Sequence, residues 1–295
     1  MSTIDQGNGG ACSGAHHRTT GSRASRPTNR RPESAESTTK RGRRLLPLVV
    51  LLAVSTASAL AQSNEQVSAD ALLAQMEEAL YPDSFFMRAT LVTHRPDRRN
   101  TSITMESRHK ESVGTLIEVM APARSRGMRF LQKEDSLWMY NPRAGGRRAI
   151  RLSPRESFQG SVFSNNDVGD PTYTDDYSAS YGEEETIDHP TLGTVATQVL
   201  VGEAIHDEAA YGRIVVWVRT TDAAPVRMEL YAKSGILFKR MSFREFKELA
   251  GRQRPSVIRM DSLIQDKTYS IVTIEALERR DELPDRLFTQ ANLTR

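Results

Sequence analysis

Residues 225–235 read PVRMELYAKSG. Val226, Met228 and Leu230 alternate with Arg227, Glu229 and Tyr231, and Lys233-Ser234-Gly235 then supplies a turn. A period of two with a polar residue at every second position marks a β-strand with one covered face and one wet face. The same period recurs on both sides. Upstream, Phe85, Met87, Ala89 and Leu91 alternate with Phe86, Arg88, Thr90 and Val92. Val113, Thr115, Ile117 and Val119 follow, then Met128 and Phe130, then residues 137–140. The second half repeats it over 194–201, 212–220, 226–231, 236–249, 256–264 and 268–276. Turn signals separate the runs: Pro96-Asp97, Ala121-Pro122, residues 134–136, Asn141-Pro142 with Gly145-Gly146, and Thr221-Asp222 with Pro225. Residues 214–218, with Trp217, are apolar on both faces and read as a central strand. Roughly ten strands with short connections favour an antiparallel meander over any βαβ design, and no repeat of propeller or solenoid length is present.

A sheet with one covered face needs a cover. Three segments can supply it. Residues 68–80 place Leu72, Leu73, Met76 and Leu80 at helical spacing, with Ser68 as N-cap and Pro82 as stop. The second is 154–168, and the third is a short C-terminal turn around 284–292.

The stretch RESFQGSVFSNND (155–167) sets two phenylalanines and a valine among small polar residues. Read as a helix over 154–168, it puts Phe158 and Val162 at i and i+4 with Phe163 beside them. Ser153 can cap it, Pro154 suits its first turn, and Gly160 weakens its interior by up to about 1 kcal/mol. Such a segment suits a movable flap. As a nucleophile site it is poor, because Gly160-Ser161-Val162-Phe163 lacks the second glycine of a G-x-S-x-G elbow. The four histidines beyond the leader, His94, His109, His189 and His206, are scattered. Metal readings are weak too. Glu183-Glu184-Glu185 and His206-Asp207-Glu208 match no zinc or calcium motif and read as solvated acidic turns. Asp167, Asp170, Asp175 and Asp176 lack the alternating ligand spacing of a calcium loop.

Residues 41–61, RGRRLLPLVVLLAVSTASALA, have the three parts of an export signal. Arg41, Arg43 and Arg44 form the positive region, 45–54 the apolar core, and Ala59-Leu60-Ala61 a small-x-small cleavage site before Gln62. The apolar run is shorter than the ~20 residues a spanning helix needs. Residues 1–40, rich in Ser, Thr, Gly, Arg and Pro, read as a disordered extension or an upstream start, and 62–295 as one domain. The leader holds nine of the 40 Lys and Arg residues and three of the 37 Asp and Glu residues. The rest of the chain therefore carries 31 basic and 34 acidic residues, a net charge of −3. The basic balance of the whole chain belongs to the leader, so no nucleic-acid partner is expected. The single cysteine, Cys12, is in the leader as well, which excludes thiol catalysis and disulfides from the exported part.

The blocks RGMRFLQ (126–132), LWMYNPRAGGRRAIRL (137–152), SFQGSVFSNND (157–167), PVRMELYAKSG (225–235) and LPDRLFTQANL (283–293) together resemble the outer-membrane lipoprotein-sorting protein family. These are periplasmic proteins similar to the LolA and LolB lipoprotein carriers, and the resemblance covers nearly all of the chain after the leader. It implies a mainly β fold: an incomplete antiparallel β-barrel, in effect one strongly curved sheet, with an N-terminal helix and short lid helices over the concave apolar face. It implies acyl-chain binding, with no cofactor and no catalysis. The partners it implies are lipoprotein or lipid acyl chains, and an inner-membrane exporter of the resistance-nodulation-division type or a lipoprotein-release complex. A lipoprotein, a free lipid and a small hydrophobic molecule all stay open as cargo. A sensor of the same fold that signals to a membrane partner is the alternative, and a lipid hydrolase a more distant one.

On that reading the groove and lid residues are Met128, Phe130, Trp138, Tyr140, Phe158, Val162 and Phe163. Phe130 and Trp138 serve equally well as plain core residues. Arg129, Arg147 and Arg151, in a run with Arg126, Arg143 and Arg148, are candidates for lid or headgroup contacts. The opposite reading is a solvated strand face.

Overall fold

The computed structural model describes residues 67–134, 136–144, 148–169 and 172–295. The export signal, its cleavage site at Ala59, Ala61 and Gln62, the extension 1–40, Arg147, Asp170 and the Gly145-Gly146 turn lie outside the described residues.

Helix α1 (Ala69–Leu80) forms as its spacing predicts. The Ser68 hydroxyl accepts from the Ala71 N–H at 3.1 Å and caps it. Leu73, Met76, Ala79 and Leu80 are buried. Each large one contributes roughly 1.5–3 kcal/mol by leaving water.

Thirteen strands make one antiparallel sheet that curves without closing into a barrel. They are β1 (Ser84–Arg95), β2 (Arg98–Lys110), β3 (Gly114–Ala121), β4 (Arg129–Lys133), β5 (Ser136–Tyr140), β6 (Ile150–Leu152), β7 (Tyr177–His189), β8 (Gly193–Ala204), β9 (Arg213–Arg219), β10 (Pro225–Tyr231), β11 (Leu237–Leu249), β12 (Arg252–Ser262) and β13 (Tyr269–Arg279). Their order is 6-5-4-3-2-1-13-12-11-10-9-8-7. Two meanders meet where β1 pairs with β13, with Val92 opposite Ile271 and Leu91 opposite Val272. The two edge strands are β6 and β7, and the connection between them holds residues 153–169 and 172–176.

The expectation of a meander with an N-terminal helix holds, and three details differ. Residues 183–185 are in β7, an edge strand, and not in a turn. Its acidic residues are exposed, and charge on an edge discourages pairing with another chain. Trp217 is on β9, third from the edge and not central; both faces of β9 are nonetheless buried. The C-terminal turn, a 3-10 turn (Asp285–Leu287) followed by α2 (Gln290–Leu293), covers the outer face. There Phe288 and Leu293 pack on Leu116 and Leu131.

The outer face is therefore less wet than alternation alone predicts. Beside that patch, Val199, Val215, Trp217 and Val226 form a second outer cluster. Arg227 lies over the Trp217 ring at 4.3 Å and Arg213 over Tyr231 at 4.2 Å, shielding the rings while their charges reach solvent. Val226 joins this cluster and leaves the inward-facing Met228 and Leu230, because the register shifts between Pro225 and Arg227. Glu229 is buried on the outer face. Burial raises its pKa, but hydrogen bonds from Arg227, Tyr231 and Arg240 outweigh that and hold it below the ordinary value.

Candidate functional site

The concave face is lined from almost every strand, and methionines are prominent in it. Met105, Met128, Met228, Met241 and Met260 are buried there with Met76 of α1, and Met87 and Met139 pack against them. Unbranched thioether side chains repack around differently shaped partners at small cost.

Phe158, Val162, Phe163 and Val168 of the segment 153–169, and Tyr173, pack into this face. The segment is not the continuous helix predicted over 154–168. Gln159 and Gly160 take positive φ, +48° and +73°, so a helix cannot pass through them. A single 3-10 turn (Phe158–Gly160) is followed by a bridge between Ser157 and Ser164 and by α3 (Asn165–Gly169), which in chain order precedes the C-terminal α2. The tight loop is closed by the Phe158 N–H donating to the Phe163 carbonyl at 2.9 Å. Folded this way it points both rings inward. Phe158 is 1% exposed and Phe163 3%. Phe158 tilts against Phe130 with ring centroids 4.9 Å apart. Phe163 lines a residual cavity of about 50 Å³ with Phe85, Met87, Met105, Met241 and Ile258. That volume holds one or two waters, far below the ~300–1,000 Å³ of ordinary ligand sites. The interior is filled by the side chains of this segment.

Polar contacts hold the segment as well, and the sequence did not reveal them. The Val162 N–H donates to Ser270 Oγ at 3.0 Å, which also pairs with Thr93 Oγ1 at 2.9 Å. The Arg95 guanidinium donates to the Gly160 carbonyl. Asp167, its side chain 4% exposed, accepts from the Tyr211 hydroxyl at 2.7 and 2.8 Å and from the Ser164 N–H at 2.6 Å. Lys239 Nζ stands 3.7 Å from the Asp167 carboxylate and donates to Tyr211 at 3.1 Å. Burial lowers the pKa of Lys239 and Asp167 opposes the shift; burial raises that of Tyr211 well above its ordinary value. On the far leg of the lid, Glu77 of α1 accepts from the Tyr173 N–H, and from the Thr174 N–H at 2.7 Å and the Thr174 hydroxyl at 3.0 Å.

The predicted site residues divide between the two faces. Met128, Phe130, Phe158, Val162 and Phe163 come together on the concave face. Trp138 and Tyr140 do not. They face outward on β5 and pack with Leu116, Leu131, Phe288 and Leu293, because alternation on that strand turns Leu137 and Met139 inward. Arg129 is not at the lid either; its Nη1 donates to the carbonyls of Asn292 and Leu293 at 3.1 and 3.3 Å and secures the C-terminal helix. Arg151 is exposed on the edge strand β6.

Ser161 Oγ donates to the Phe163 carbonyl at 3.3 Å, and Ser164 Oγ accepts from the Asp167 N–H at 3.2 Å. The histidines are engaged elsewhere: His94 with Asn100, His109 with Thr115, His189 with the Phe243 carbonyl, and His206 with Asp176. Among the described residues no group of His, Cys, Asp and Glu is placed to hold a metal ion. No helix among them is long and apolar enough to cross a membrane.

A family model described as an uncharacterized protein family matches residues 111–295. None of the curated proteins matches the chain in sequence. A LolA superfamily protein from Nitrosomonas europaea is similar in structure, with 26% identity and a TM-score of 0.69 over 77% of this chain and 99% of that one. A DUF1329 family protein from Desulfovibrio piger shares 21% identity, with a TM-score of 0.65 over 76% and 97% of the two chains. A protein from Vibrio parahaemolyticus described as an outer membrane lipoprotein-sorting domain shares 18%, with a TM-score of 0.64 over 76% and 97%; these last two likenesses are of fold. The chain belongs to the family that this model describes, and it has a LolA-like fold.

Proposed function

We propose that the protein is a periplasmic carrier that binds the acyl chains of a lipoprotein or lipid inside its curved sheet and moves them towards the outer membrane. In this reading it is exported by cleavage before Gln62, receives cargo at the inner membrane in company with an exporter of the resistance-nodulation-division type, and acts by binding alone. The observation that carries the reading is the plug: an apolar, methionine-lined interior closed by Phe158 and Phe163 on a segment that belongs to no strand. The likeness to LolA-type proteins supports it.

The magnitudes agree. Two buried phenylalanines hold the lid down by roughly 3–6 kcal/mol together. A buried methylene contributes about 0.8 kcal/mol, so a chain of roughly four to eight methylenes matches the lid and a long acyl chain displaces it. Short chains do not.

The test is lipid analysis by mass spectrometry of protein recovered from the periplasm, with its N-terminal residue determined. Acyl-bearing molecules at near-stoichiometric amounts and an N-terminus at Gln62 are expected. Protein with an intact sheet and no bound lipid would overturn the carrier reading, and residues 45–61 retained in a membrane fraction would overturn export as a soluble protein.

A further inference from the structure

The interior cavity has a polar neighbour. At the rim where β1, β8, β10 and β12 end, a cleft of about 490 Å³ opens beside the lid. Four cations line it, Arg95, Arg155, Lys233 and Lys239, and no carboxylate does. Their partners differ. Lys239 is balanced by the buried Asp167. Lys233 meets Asp207, whose carboxylate is fully exposed, and such a pair is worth little. Arg95 donates to the Gly160 carbonyl and Arg155 to the carbonyls of Asp207 and Ala209. Neither guanidinium has a carboxylate within salt-bridge distance among the described residues. Two planar donor groups with uncompensated charge and a weakly paired ammonium thus share one concave wall, where their fields add.

The cleft is separated from the filled apolar interior by one layer of this segment. Val162 faces the cleft, and the next residue, Phe163, lines the interior cavity. Tyr211 faces the cleft and bonds Asp167, which borders the interior. An apolar rim completes it: Ile264, 67% exposed, lines the mouth, with Leu263 and Ile236 exposed on the neighbouring loops. Cations without acids, beside an apolar cavity and under an apolar lip, match a molecule with an anionic head and greasy chains.

We propose that this cleft receives the anionic phosphate-ester headgroup of a cargo amphiphile whose chains displace Phe158 and Phe163. The inference rests on the carrier reading and adds the charge class of the cargo. Guanidinium forks pair with phosphate oxygens by two parallel bonds.

The test compares three probes by calorimetry: palmitoyl lysophosphatidic acid, monopalmitoylglycerol and glycerol 3-phosphate. Lysophosphatidic acid should bind at least tenfold more tightly than monopalmitoylglycerol. The preference should shrink as salt is raised and fall severalfold in Lys233→Gln, with monopalmitoylglycerol binding and circular dichroism as controls for the fold. If the variant fails to fold, the salt dependence of the wild-type preference decides. Equal affinity for the two acylated probes, or a preference that salt leaves untouched, overturns the headgroup assignment and leaves the carrier standing. Glycerol 3-phosphate binding as tightly as lysophosphatidic acid makes the cleft a free-phosphate site and overturns it too. Failure of both acylated probes to bind removes the carrier reading and the headgroup site with it.

Discussion

Phe158→Ala separates a lid from a permanent core. Phe158 is almost fully buried against Phe130, on a loop whose backbone conformation is set by Gln159 and Gly160 and not by its own ring. Truncation removes about 2 kcal/mol of apolar burial from the closed state. If the segment competes with cargo for the interior, that loss moves the closed–open balance by the same amount. Affinity for a long-chain fluorescent acyl probe then rises by roughly thirtyfold, at 1.4 kcal/mol per decade. The open form caps the loss, so global stability followed by circular dichroism in urea should fall by no more than about 2 kcal/mol. If Phe158 belongs to the permanent core, the pattern inverts. Global stability falls by about 3–5 kcal/mol, as for other Phe→Ala cavities, and probe affinity does not rise. Unchanged affinity with that loss of stability would refute the competition argument.

Three other outcomes follow from particular side chains. Burial pushes the His109 pKa down from 6.5 to about 4. The unfolded chain therefore takes up a proton that the folded one refuses between those values. The stability this represents is whole above about pH 6.5 and falls by about 3 kcal/mol on descending towards pH 4, at 1.36 kcal/mol per pH unit. Urea midpoints across that range should slope less for His109→Gln, and parallel slopes would contradict the assignment. Asp167→Asn leaves the largely buried Lys239 without its carboxylate, a loss of about 3–5 kcal/mol for a broken buried pair. It should appear as faster hydrogen exchange at the Val162 and Ser164 amides, partly restored by adding Lys239→Met; unchanged protection would show that the cluster does not hold the lid. Ser161→Ala removes one 3.3 Å hydrogen bond and should leave acyl-probe binding intact, whereas a lipid-hydrolysis activity abolished by that change would replace the carrier with an enzyme.

The sequence by itself determined most of the strands, the capped helix and the antiparallel class. These are written in neighbouring residues: the alternation of Met228 and Leu230 with Arg227 and Glu229, and the Ser68 hydroxyl three residues before the Ala71 N–H it accepts from. It also pointed to 155–167 as the cover, because two phenylalanines among serines and asparagines have no strand to belong to. Strands β2, β6 and β7 were missed: polar and acidic side chains hide the period of two in β2 and β7, and β6 is only three residues long. Only the tertiary structure decided which face each alternating set occupies. Phe130 and Trp138 look alike in sequence, yet one meets Phe158 inside and the other packs outside with the Leu131 and Phe288 cluster. Only the tertiary structure assembled Asp167, Tyr211 and Lys239, or set Arg95 beside Arg155 and Lys233, from segments tens of residues apart. The physical reason is one of range. Alternation and capping are fixed by bonds between near neighbours along the chain, whereas charge compensation and cavity filling depend on which distant strands the closing of the sheet brings together.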